Sequence, residues 1–317
     1  MLEEKYVIGV DLGGTKINTA LSNVEGNIVS KCTLPTNSYE GDIAVFERIL
    51  NSIEEVINNS KVDKENIISI GIGSPGPLDY KKGRIITTPN LPFKDFDIVS
   101  PIENKFGIKT YLDNDANVAS IGEYIFGSGK ESNNMIFVTV STGIGAGAIL
   151  NGKIYRGNTS NALEIGHTTL KKDGTKCNCG NYGCAEALAS GTAIGKKGRE
   201  AVERGLKTSL SQYKYITAKE VFKEAKKNDK VALGILDESL EYLGICVANL
   251  ISSFDPERII IGGGVSKAGK IVFDKIEKVV KERCFKVMYE NTKILPAILG
   301  DDAGVMGAIA LAIMESK

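Results

Sequence analysis

Four short runs in this chain are apolar on both faces: residues 6–10 (YVIGV), 67–73 (IISIGIG), 135–141 (MIFVTVS) and 258–263 (RIIIGG). A strand with one wet face alternates polar and apolar residues. Runs this uniform, rich in Val and Ile, predict central strands that must be covered on both sides. Helical patterns at about 42–58, 231–252 and 303–315 stand ready to cover them. The second places Leu233, Leu236, Leu240, Leu243, Val247 and Leu250 on one face, and the third is rich in Ala and Gly all round, so both belong against a core. Strands alternating with helices give an α/β class.

The 317 residues suffice for one large domain or two ordinary ones. With 42% hydrophobic and 25% charged residues the chain has a globular composition, and 39 basic residues balance 39 acidic ones. Zero net charge gives no electrostatic reason to expect nucleic acid or an anionic membrane as partner. No apolar run reaches the roughly 18 residues that span a bilayer, and Met1 leads into the first strand without a basic leader. A cytoplasmic enzyme is the expectation.

Asp11-Leu12-Gly13-Gly14-Thr15-Lys16 follows the first run, and Ser141-Thr142-Gly143-Ile144-Gly145-Ala146-Gly147 follows a later one. Each joins two β-runs through glycines, as a hairpin does, and the repetition suggests two related halves. Such turns are either plain hairpins or phosphate cradles, because glycine lets backbone N–H groups approach an anion closely. Thr15 and Thr142 add hydroxyls, and Asp11 can hold Mg²⁺ through water.

Three look-alikes are set aside. Gly71-Ile72-Gly73-Ser74-Pro75-Gly76 spells a dinucleotide turn, but Pro75 and Pro77 forbid the helix such a turn must open. Gly127-Ser128-Gly129-Lys130 lacks the leading Gly and the final Ser or Thr of a P-loop. The Asp113-Asn114-Asp115-Ala116-Asn117 segment opens like a calcium loop but has Val118 where Gly is required.

One histidine, His167, precedes Cys177-Asn178-Cys179-Gly180-Asn181-Tyr182-Gly183-Cys184. Three thiolates and an imidazole make a closed tetrahedral zinc set, structural because no position is left open. Asp115 follows a short strand at about 109–112 and begins a helix-like run. It reads either as a helix N-cap or as a general base at the C-terminal end of a strand. Glu164 and Glu186 bracket the zinc loop.

In this order, the motifs resemble the ROK family of bacterial sugar kinases and related repressors, over nearly the whole chain. The segments that carry the likeness are Asp11–Lys16, Ser74-Pro75-Gly76-Pro77, Asn90-Leu91-Pro92, Asn114–Asn117, Ser141–Gly147, Glu164–His167, the cysteine loop ending in Glu186, and Gly262-Gly263-Gly264. The resemblance implies a two-lobed actin/hexokinase/Hsp70-like (ribonuclease H-like) α/β fold with an interlobe cleft. The smaller lobe would span 1–115 and be rejoined by the final helix at 303–317; the larger would span 116–302 and carry most subunit contacts of a homodimer or homotetramer.

It also implies roles. Gly13, Gly14, Thr15 and Lys16, with Thr142, Gly143 and Gly145, would hold the ATP phosphates, and Asp11 would lie near Mg²⁺. Gly263 and Gly264 would pass close to the adenosine. Asp115 would take the proton from the attacking sugar hydroxyl. Ser74, Pro75, Gly76, Asn90, Asn114, Glu164, His167 and Glu186 would line the sugar site, with His167 also on zinc. The implied reaction is phosphorylation of glucose at its 6-hydroxyl, a step of carbohydrate metabolism such as glycolysis. N-acetylmannosamine, N-acetylglucosamine and fructose are the alternatives within the frame. Many family glucokinases have Trp near the Asn-Leu-Pro segment, whereas this chain has no Trp and places Phe93 there. Family repressors carry a DNA-binding segment ahead of the phosphate motif, and with the motif starting at Gly9 no room for one is expected. A zinc-stapled sugar-binding module without turnover would need a damaged turn or a missing base, and neither is seen.

Overall fold

A computed structural model describes residues 4–88 and 90–316. Contacts divide the chain into two compact units: Met1–Glu131, Gly147–Ala162 and Ile298–Lys317 form the first, and Ser132–Ala146 with Leu163–Ala297 the second. These bounds differ from the expected 1–115 and 116–302. The reason lies in the helix that begins at Asp115, which packs along the final helix and so stays with the first unit.

In the first unit, strands β1 (Tyr6–Leu12), β2 (Lys16–Asn23), β3 (Ile28–Pro35), β4 (Ile67–Ser74) and β8 (Thr110–Asn114) form a sheet in the order β3-β2-β1-β4-β8. The β1–β3 meander is antiparallel, while β4 runs parallel to both β1 and β8. A small antiparallel sheet joins β5 (Leu78–Asp79), β6 (Arg84–Thr87) and β7 (Lys94–Asp97). The period-2 alternation of a strand explains the doubly apolar run at 6–10. Ile8 and Val10 enter one cluster with Val45, Ile49, Ile53 and Val56 of helix α1 (Asp42–Ser60) and Ile102 of α2 (Val99–Phe106). Val7 enters another, with Val305, Ile309, Ala312 and Ile313 of the last helix, α10 (Ala303–Glu315). Each fully buried Ile or Val is worth about 1.5–3 kcal/mol.

The α10 helix approaches the sheet unusually closely. A Cβ on Gly71 would lie 2.1 Å from the Ala308 carbonyl oxygen, and one on Gly9 would lie 2.6 Å from the Ile309 nitrogen. Of the glycines that spell a dinucleotide turn, Gly71 is thus taken up by packing against α10, while Gly73 meets Val118 and Gly76 meets Asn114. Helix α3 (Asp115–Ile125) packs along α10 in turn, with Gly122 against Gly307.

The second unit is built on β9 (Met135–Val140), the start of β10 (Ile144–Leu150), β12 (Arg258–Gly262) and β13 (Lys293–Pro296), in the order β10-β9-β12-β13 with β12 parallel to β9 and β13. Past Ala146, β10 continues into the first unit's second segment, where it turns back as β11 (Lys153–Ile154). The helices are α4 (Ala185–Ala189), α5 (Gly191–Glu203), α6 (Ala218–Ala225), α7 (Lys230–Phe254), α8 (Lys270–Arg283) and α9 (Lys286–Asn291). On α7 the predicted stripe holds at Leu236, Leu240, Leu243, Val247 and Leu250, all buried, while Leu233, one turn in, is 37% exposed. Among the described residues no helix is long and apolar enough to cross a membrane.

Candidate active site

In the first unit, the chain turns from β1 to β2 through Gly13-Gly14-Thr15. The Gly13 amide donates to the Lys16 carbonyl at 3.0 Å, and Thr36 braces the turn, its hydroxyl donating to the Gly13 carbonyl at 2.6 Å and its amide to the Thr15 carbonyl at 3.0 Å. Gly14 lies against Asn90, whose Cβ is 3.0 Å from where a Cβ on Gly14 would stand. At the end of β1, the Asp11 carboxylate accepts from the Asn18 amide at 3.1 Å and packs against Gly304. Burial lifts its pKa above the usual carboxylate range, against the opposing pull of Asn18 and Lys16. A partly desolvated carboxylate beside a glycine turn fits a hard divalent cation that keeps its waters.

Strands β4 and β8 end side by side, with Ser74 paired to Asn114. Gly76 lies against the Asn114 amide nitrogen, so the Ser-Pro-Gly turn and the Asn-Asp pair form one surface. The Ser74 hydroxyl is buried and donates to the Pro75 carbonyl, so it shapes the turn. The two readings of Asp115 are separated by its neighbour. Asn114, with extended backbone, caps α3 by accepting the Ala116 amide at 2.9 Å. Asp115 is then the first helical residue, exposed, with its own carboxylate also accepting the Ala116 amide at 2.8 Å. The carboxylate thus sits at a strand's C-terminal end without being the cap.

In the second unit, the turn from β9 to β10 is closed by the Ser141 amide donating to the Gly143 carbonyl at 2.9 Å. Glu186, on α4, accepts the Ile144 amide at 3.1 Å, and a Cβ on Gly143 would fall 2.3 Å from its Oε2. Glu186, for which the family resemblance implies a place at the sugar, also braces the second glycine turn. Gly145 lies inside β10, and Gly263, with φ of 84°, passes against the Val140 carbonyl.

A cavity of about 960 Å³ opens beside this turn, lined by Thr142, Gly191, Arg199, Phe222, Gly264 and the lysines of α6. That is ample for a nucleoside, with an apolar ring surface and cations around it. Thr142 and Gly264 were expected there; Gly191, Arg199 and Phe222 were not. One signal was present: Ser190-Gly191-Thr192 opens a helix, and Ser190 caps α5 by accepting the Ala193 amide at 3.1 Å.

The His167 and cysteine positions converge as expected. One ligand atom from each of His167, Cys177, Cys179 and Cys184 lies within 4.8 Å of the others. His167 turns Nδ1 toward Cys177, 3.8 Å away, and the Cys179 and Cys184 sulfurs are 3.7 Å apart. Hydrogen bonding from the Asn181 backbone holds the Cys179 thiol below its usual value, whereas burial pushes Cys184 up to about 12. Three clustered soft donors and an imidazole fit a tetrahedral dication, which would keep the buried sulfur as thiolate. Glu164, just before His167, is exposed.

The ROK family model matches residues 7–315. The chain belongs to the ROK family. It is 35% identical to a glucokinase of Halalkalibacterium halodurans, over 96% of this chain and 94% of that protein. It is also 32% identical to a xylose repressor of Caldicellulosiruptor bescii, over 98% of this chain and 78% of the repressor. Among solved structures, the ROK hexokinase of Thermus thermophilus superposes with a TM-score of 0.85 at 32% identity, covering 98% of both chains. A Streptomyces griseus ROK glucokinase, solved with glucose and AMPPNP, gives 0.77 at 31% identity over 98% of this chain and 99% of that one. The α/β fold that the ROK motifs imply is thus the fold of this chain.

Proposed function

We propose that this ROK chain is a cytoplasmic ATP-dependent hexose kinase, a homodimer or homotetramer, that phosphorylates the 6-hydroxyl of glucose. The observation that carries the reading is Asp115. Its neighbour Asn114 is the N-cap, and Asp115, the first helical residue, presents an exposed carboxylate at the C-terminal end of a strand, the position of a general base in an α/β sheet. The glucokinases among its relatives support the choice of sugar, and the nucleotide-sized cavity beside Thr142 supports the donor.

Phosphoryl transfer demands positioning and charge neutralisation more than covalent catalysis. The first unit supplies the Gly13–Lys16 amides for phosphate, and Asn90 and Asn114 for sugar hydroxyls. Asp115 takes the hydroxyl proton as the oxygen attacks the γ-phosphorus and ADP leaves. The second unit supplies Thr142, Gly143 and Gly145 at phosphate, Gly263 and Gly264 at the nucleoside, and Glu164 and His167 for sugar hydroxyls. Asp11 is the residue that would hold Mg²⁺, whose charge offsets that of the phosphates when bound. His167, Cys177, Cys179 and Cys184 would hold zinc as a closed structural site. With Nδ1 turned to the thiols, Nε2 is the nitrogen left for sugar.

The test is ATP-dependent turnover of purified protein on glucose, mannose, fructose, N-acetylglucosamine and N-acetylmannosamine, with Asp115→Asn alongside and zinc content measured on the same samples. Glucose should lead, zinc should be bound one per chain, and the variant should keep its fold while losing roughly 10²–10⁴ in kcat. Near-normal turnover in the variant removes Asp115 as base. An N-acetylhexosamine in the lead replaces glucose only, and silence on every sugar favours a binding role.

A further inference from the structure

Two residues before the base, Asp113 is completely buried, and its side chain accepts hydrogen bonds from residues on both sides of Asp115. Its Oδ1 accepts the Asn114 amide and the Asn117 side-chain amide, each at 2.8 Å. Its Oδ2 accepts Nε of Arg156 at 2.6 Å. Arg156 arrives from the segment after β11, far along the chain. Its guanidinium lies 4.4 Å from the Tyr80 ring centre and donates through Nη2 to Glu315, at the end of α10, at 2.5 Å. Burial works against the Arg156 cation, but Asp113 and Glu315 outweigh it and hold the charge firmly in place.

A buried carboxylate left without a partner is costly, and this one is satisfied on both oxygens. It therefore has little freedom, and neither do the residues it grips. Asn114 and Asn117 flank Asp115 on the strand side and the helix side, so fixing both fixes the direction in which the exposed carboxylate leaves the helix. We propose that Asp113 and Arg156 are positioning residues for the reaction: the Arg156 fork locks Asp113, and Asp113 locks the strand-to-helix turn that aims Asp115. Neither reaches the substrate. The inference rests on Asp115 being the base.

Arg156→Met, Arg156→Lys, Asp113→Asn and Glu315→Gln are compared with the parent and with Asp115→Asn in glucose and ATP kinetics, with thermal melting of each. If the turn loosens, Arg156→Met and Asp113→Asn lose roughly ten- to a hundredfold in kcat, the cost of misplacing a catalytic group by about 1 Å, while KM for ATP stays within about twofold. Arg156→Lys restores charge without the planar fork and recovers part of the loss. Glu315→Gln removes the charge of the other partner of the same guanidinium, keeps an oxygen that can accept from it, and stays within about threefold of parent kcat. Parent-like kcat in Arg156→Met overturns the proposal, and so does a Glu315→Gln loss matching it, since the network would then only staple α10. Should Arg156→Met fail to fold, Arg156→Lys and Asp113→Asn decide: parent-like kcat in both overturns it. A fully active Asp115→Asn would instead refute the base itself, whatever Arg156 does.

Discussion

Asn114 and Asp115 are both residue types that cap helices, and the sequence offers no way to tell which one does. Geometry decides, because only Asn114 has the extended backbone of a cap. The glycines show the same limit from the other side. Gly13, Gly143 and Gly71 all follow or end apolar runs, yet two make turns and the third accommodates α10 at 2.1 Å. A local pattern reports that a side chain is missing; it does not report what approaches the gap from another part of the chain. Gly71→Ala should therefore destabilise the protein by about 1–3 kcal/mol, because the methyl meets backbone that cannot step aside. Urea unfolding would show this as a lower midpoint with an unchanged slope, and a midpoint equal to the parent's would mean that α10 sits farther off.

At the scale of elements, what the sequence showed clearly was local. The ligand cluster is local because Cys177, Cys179 and Cys184 lie close together in sequence with His167 shortly before them, and the central strands declare themselves by being apolar on both faces. The corner between α6 and α7 shows the opposite. Asp229 caps α7 through the Ala232 amide at 2.9 Å and also accepts from Ser209 and Thr208. Glu224 accepts from Lys227 at 2.8 Å, Ser209 at 2.7 Å and Tyr213 at 2.7 Å. No motif announces this cluster, since its members are ordinary polar residues gathered by the fold. For Glu224, hydrogen bonding from Lys227, Ser209 and Tyr213 brings the pKa from 4.5 down to about 2. For Asp229, burial opposes the charge, but the Ala232 and Ser209 amides and the hydroxyls bring it from 3.8 to about 2. In the unfolded chain both carboxylates bind protons first, so the stabilisation is complete above about pH 4.5 and is lost as pH falls toward 2. The urea midpoint should drop across that window, and less so in Asp229→Asn; equal acid sensitivity in the variant would rule out the corner as its source.

For the whole molecule, the α/β class and the roster of motifs were legible, whereas the division into units was not. Residues 116–131 belong with the first unit through the contacts of α3 with α10 and β8, and 147–162 join it through Arg156, which bonds Asp113 and Glu315; no composition shift or linker marks those bounds. Removing residues 303–316 should strip the cover from Val7, Ala20 and one face of the first sheet. Limited proteolysis with peptide mapping should then show rapid cutting in β1–β4, while peptides from 163–297 persist. Equal digestion of both would mean that the second unit depends on that helix too. The same arrangement bears on how the protein is made. The second unit is complete once Ala297 has been added, but the first, whose β1–β4 precede it, lacks the helix against Gly9 and Gly71 until residues 303–315 are synthesised. Domains usually mature on the ribosome in the order they are encoded; here the unit whose strands are made earlier must wait for a helix made after its neighbour, and its sheet stays half-covered throughout that wait.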